Sequence, residues 1–160
     1  MKFSTRQDIE APIEFVFERA SDFPSFERQA MRRGVEIERE NGAGGTPAPG
    51  LRWNARFDYR GKPRRLKAEL TSFDAPERIL IQSVVGGLEA DFEMQFLALS
   101  RNRTRVIVGL ELAPRTITAR LLVQSMKLAK NRLNERFAKR VAKFARDLEK
   151  HPEAGARPGA

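Results

Sequence analysis

The chain has 160 residues, a formal net charge of +9 and no cysteine. That length suits one domain with a substantial core, and the lack of cysteine excludes a disulfide framework and any thiolate nucleophile or metal ligand. The opening MKFSTRQDIE has no apolar run, so neither a signal peptide nor a membrane span is expected, and a cytoplasmic location is the default.

Residues 2–10 alternate Phe3, Thr5, Gln7 and Ile9 with polar neighbours, which predicts a first strand. The period then changes. In 11–20, Pro12 suits a first helical turn, and Ile13, Val16, Phe17 and Ala20 recur at helical spacing. In 21–33, Ser21 or Asp22 caps a second short helix with Pro24 in its first turn. Residues 34–42 return to alternation, with Val35 and Ile37 set against Glu36, Glu38 and Glu40. The stretch NGAGGTPAPG (41–50) is a Gly/Pro loop.

The next elements all read as strands. In 51–60, Leu51, Trp53, Ala55, Phe57 and Tyr59 share one face, and Arg52, Asn54, Arg56, Asp58 and Arg60 share the other. A turn at 60–63 leads to a strand over 64–73, and a turn at 74–78 to a strand over 79–85. Gly86-Gly87 is a hairpin signal, followed by GLEADFEMQFLALS (87–100) with Leu88, Ala90, Phe92, Met94, Phe96 and Ala98 in phase. A turn at 100–103 leads to the last strand, 104–113. From Thr116 the period is helical through residue 148: Leu122, Met126, Ala129, Leu133, Phe137, Val141, Phe144 and Leu148 predict one long amphipathic helix of about nine turns. Residues 151–160 read as a disordered tail, which leaves 1–150 as a single domain.

The predicted fold class is α+β. Sequential hairpins make a seven-stranded antiparallel sheet, with two short helices after the first strand. One long helix cannot cover both faces of such a sheet, so the sheet curves and wraps its dry face around the C-terminal helix. This order of elements, together with IEAPIEFVFERASDFPSFER (9–28), resembles the START-like, or polyketide cyclase/lipid transport, superfamily with its helix-grip fold. The resemblance spans roughly residues 2–150. It implies an apolar cavity between sheet and helix that takes lipids, quinones, sterols or polyketides, and it supports fold more than reaction.

Catalytic machinery is not legible. The only histidine, His151, lies in the tail, and no carboxylate pair, Ser-His-Asp set or metal-ligand cluster appears. Asp58 and the two acidic strand faces, Glu36/Glu38/Glu40 and Glu89/Asp91/Glu93, read as solvated. Polar groups in phase with the dry face are the Trp53 indole, Tyr59, Ser83 and Thr104. No catalytic residue, metal site or cofactor is expected. The expected ligand site is the in-phase set Trp53, Phe57, Tyr59, Phe92, Met94, Leu122 and Met126, a mixture of apolar bodies, adaptable Met and two polar tips.

The functional expectation is binding or transport of a small hydrophobic molecule. The alternatives are a polyketide cyclase or dehydratase-type enzyme, and a basic adaptor for RNA or an anionic membrane surface. The last rests on charge: residues 115–150 hold eleven Lys or Arg against three acids, with the cations off the apolar stripe. The cyclase is distinguished from the binding protein by an ionisable side chain lining the cavity. The loop at 41–50, with Met31 to Gly34, reads either as a long hairpin connection or as a gate to the pocket. Oligomeric state is left open.

Overall fold

The structure, a computed structural model, describes residues 1–42 and 45–150. The expected tail, and Ala43 and Gly44 of the expected loop, lie outside the described residues. The elements are β1 (Lys2–Ile9), α1 (Ile13–Ala20), α2 (Phe23–Arg32), β2 (Glu36–Arg39), β3 (Arg52–Tyr59), β4 (Lys62–Asp74), β5 (Arg78–Val85), β6 (Leu88–Ser100), β7 (Arg103–Pro114), α3 (Ile117–Leu128) and α4 (Lys130–Lys150). Among the described residues no helix is long and apolar enough to cross a membrane.

The seven strands form one sheet in the order β1-β7-β6-β5-β4-β3-β2, every pair antiparallel. The chain-order neighbours β2 to β7 are joined by consecutive connections, and β1 closes the other edge against β7. Arg60 and Gly61 both take positive φ, 52° and 75°, in the two-residue turn between β3 and β4. That geometry matches the right-handed twist of the flanking strands. Register shifts at Leu70/Ser72 and at Ala98/Ser100 bend the long strands, which curves the sheet.

The dry face follows the alternation. Met94 stands between Ile79 and Val108, and Phe96 faces Val106. Leu70, Ile79, Val106 and Val108 are essentially sealed from solvent, as are Ile9 and Val16. Each such side chain stabilises the fold by about 1.5–3 kcal/mol relative to exposure. The first helix drops Phe17 between Phe73 and Phe96, with both ring centroids 5.2 Å away. Thr104, the one fully buried polar side chain among the described residues, donates its hydroxyl to the Ala11 carbonyl at 2.8 Å. Away from the core, arginines pair with acids: Arg78 of β5 with Glu93 of β6, Arg52 of β3 with Glu40 just past β2, and Arg115 just past β7 with Glu89 of β6. Asp8 takes two hydrogen bonds from Arg105, its partner across β1–β7, and this holds its carboxyl below the usual value.

The C-terminal helix is long but interrupted. Ala129 leaves helical geometry (φ −108°, ψ 19°), and its N–H reaches the Met126 and Lys127 carbonyls. No Gly or Pro marks the break, and the apolar stripe runs through it uninterrupted. Beyond the break, α4 lies along β1, with Phe137 6.2 Å from Phe3 and Glu149 accepting from the Glu10 N–H. α3 packs instead on β7 and α4 and buries only Ala119 and Val123.

Candidate functional site

The second helix begins on an Asp22 side-chain cap, which accepts from the Ser25 N–H, with Pro24 in its first turn. Its periodicity then puts Phe23, Phe26, Glu27 and Ala30 on one face. Beneath that face lie Ile37 of β2, Trp53 of β3, Leu66 and Ala68 of β4, and Ile81 of β5. Between helix and sheet is a pocket of about 190 Å³, open to solvent, lined by these five side chains with Phe23, Phe26 and Glu27. Apart from the Trp53 indole N–H, the carboxylate of Glu27 is the only polar side-chain group in that lining.

Two sheet residues hold the carboxylate. Arg39 and Trp53 are partners across the β2–β3 ladder, so their side chains rise together on the same face. Glu27 Oε2 accepts from Arg39 Nε at 2.8 Å and from Trp53 Nε1 at 3.0 Å. The side chains of Arg39 and Glu27 are only 12% and 18% exposed. Phe23 stacks edge-on against Trp53 at 5.3 Å and fixes the indole from the other side. Oε1 of Glu27 has no hydrogen-bond partner among the described residues and is not sealed in the core. The result is an open apolar pocket with one anchored carboxylate at its wall.

A larger groove of about 670 Å³ runs between α2 and α4. Phe26 lines both spaces and lies 6.4 Å from Phe144 across the groove. Arg19, Arg33, Arg140 and Lys143 border it, against Asp22 and Asp147.

Of the residues expected to line one space, Trp53 alone is in the cavity lining. Met94 is 7% exposed in the core, and Phe92 is half-buried between Ile81 and Leu110. Phe57 is half-buried. Tyr59 is 49% exposed at the end of β3, under the Arg60 guanidinium. Leu122 (37% exposed) and Met126 sit on α3, away from the cavity. Met31 and Gly34, candidates for a gate, are exposed; Arg33 between them borders the groove. Ser83 gives its hydroxyl to the Ala90 carbonyl. Among the described residues no group of three or more His, Cys, Asp or Glu is placed to hold a metal.

Glu27 and Arg39 escaped the sequence reading, though each keeps phase with its element. Arg39 continues the Val35, Ile37 alternation, and Glu27 follows Phe23 by four residues and precedes Ala30 by three. A charged residue in phase with an apolar stripe was the available signal.

No family model matches the chain, and no curated protein does. Solved structures do. The Zhui aromatase/cyclase from Streptomyces sp. R1128 is 14% identical with a TM-score of 0.61, covering 92% of this chain and 94% of that one. Norcoclaurine synthase from Thalictrum flavum is 12% identical with a TM-score of 0.63, covering 95% and 96%. A START superfamily protein from Mycobacterium smegmatis is 12% identical with a TM-score of 0.50, covering 84% and 95%. With its seven-stranded sheet, paired short helices and long C-terminal helix, the chain has the helix-grip fold of START-like proteins.

Proposed function

We propose that the protein binds a small, mostly apolar molecule in the chamber beneath α2 and orients it through Glu27. The observation that carries this reading is a cavity whose wall is apolar except for one carboxylate and the indole N–H bonded to it. Apolar walls with few polar groups favour a hydrophobic ligand carrying one hydrogen-bonding substituent. The pocket is small, about 190 Å³, and open to solvent, so a ligand of ordinary size extends past Phe26 into the groove.

A cyclase- or dehydratase-type activity is the second reading, and Glu27 is what favours it. An ionisable group in an apolar chamber is what proton transfer to or from a bound ligand requires. Against it, Oε2 is committed to Arg39 and Trp53, which suits an anchor better than a proton shuttle.

The test is native mass spectrometry of protein purified from its own host. A co-purified small apolar molecule is expected on the wild type. Ala68→Phe, which fills the chamber beside Trp53, is expected to strip it while leaving the melting temperature within a few degrees. A ligand retained in full by Ala68→Phe removes the chamber from the binding site.

A further inference from the structure

The third helix presents its apolar residues in the wrong direction for a core element. Ile117, Leu121 and Leu128, at i, i+4 and i+11, share one stripe and are 79%, 63% and 92% exposed. The buried residues, Ala119 and Val123, lie on the opposite side. Among the described residues no element covers the outer stripe: α3 leans mainly on β7 and α4, and the helix breaks at Ala129 before α4 turns along β1.

The chemistry around the stripe is one-sided. Between Glu111 and Glu135 the sequence has no acid. Arg120 and Lys127 flank the stripe along the helix, and Lys130 and Arg132 follow at the start of α4; all four are exposed, with no ion-pair partner among the described residues. The helix is also firmly mounted. Thr116 caps it by accepting from the Ala119 N–H, and the Arg115 N–H donates to the Gly87 carbonyl. Gly87 has no side chain because Thr116 occupies that space.

We propose that α3 is an interfacial helix that docks the protein on an anionic lipid bilayer. Its leucine and isoleucine stripe enters the boundary between headgroups and acyl chains while its cations remain at the headgroup phosphates. Charge complementarity selects this occupant. A second copy of the chain would oppose two acid-free basic surfaces, and a polyanion such as RNA would satisfy the cations but leave three large apolar side chains in water. The docking helix is α3, not the basic face of α4.

The test is vesicle flotation with phosphatidylcholine alone and with about one third phosphatidylserine. Wild type should bind the anionic vesicles about tenfold or more tighter than the neutral ones, and weaken with salt. Ile117→Ser with Leu128→Ser should lose about tenfold in affinity with an unchanged melting curve, since both side chains are already in solvent. Arg120→Gln with Lys127→Gln should lose the preference for anionic lipid. Absence of flotation by the wild type overturns the proposal. So does salt-sensitive binding that survives the apolar double variant, which would mark a purely electrostatic surface. Self-association of the wild type in sedimentation velocity, abolished by the apolar double variant, would assign the stripe to a second copy instead.

Discussion

Replacing Arg39 by Met tests the polar anchor of the chamber. Arg39 supplies a 2.8 Å charge-assisted hydrogen bond to Glu27, and the two side chains are 12% and 18% exposed. A hydrogen bond to a charged group contributes about 1.5–3 kcal/mol net, and breaking a fully buried pair costs about 3–5 kcal/mol. The residual exposure of Glu27 lets water reach the orphaned carboxylate, and Trp53 still donates to it, so Arg39→Met should cost about 2 kcal/mol. For a chain of this length that is a fall in melting temperature of about 4–8 °C. Glu27→Leu alone should cost less, because Arg39 keeps its hydrogen bond to the Gly42 carbonyl at 3.4 Å and can turn to solvent. The double variant should return to within about 1 kcal/mol of wild type, since an apolar pair replaces an ion pair in an apolar wall. Urea unfolding followed by fluorescence of Trp53, the only tryptophan, measures all three and reads the environment of the anchor itself. A coupling energy below about 0.5 kcal/mol, with the single effects simply adding, would show that the two side chains do not interact and would refute the anchor.

Two further outcomes follow from the framework around the site. Gly87→Ala would drive a methyl group into Thr116, displacing the cap of α3, and should cost more than the roughly 1 kcal/mol of removing the cap alone by Thr116→Ala; thermal melts that rank the two variants the other way would detach the β5–β6 turn from the seating of α3. Arg105 holds the folded-state carboxyl of Asp8 below its ordinary value, so this contribution is complete above the unfolded carboxylate range near 4 and is lost as pH falls through the lowered folded value. Asp8→Asn should therefore flatten the acid limb of a melting-temperature profile and leave its slope near neutral pH unchanged; an acid limb as steep as wild type would mean the β1–β7 pairing does not depend on that ion pair.

The architecture was legible because its signals are local. Period-two alternation over 51–60 and 87–100, and the Gly86-Gly87 hairpin signal, follow from the two-sidedness of a half-buried strand. Once seven such strands and one long helical period are in order, sequential antiparallel pairing leaves little choice of topology. Which apolar residues surround free space was decided elsewhere. Phe92 and Met94 keep the phase of a pocket wall, yet Met94 is packed shut between Ile79 and Val108, while Ile81, on the neighbouring strand, borders the chamber. Periodicity says which side of a strand is dry; only the placement of α2 and α4 says which part of that side is left uncovered. The same holds for α3. The stripe Leu122, Met126, Ala129 and Leu133 is continuous in sequence into α4, but the break at Ala129 sends the two segments to different neighbours, so Leu122 stays 37% exposed while Phe144 packs against the core. Glu27, Arg39 and Trp53 are up to 26 residues apart, and their convergence on one oxygen is a product of the β2–β3 register and the angle of α2 across it. Each residue's face was readable from its own element, but their meeting was a property of the tertiary fold.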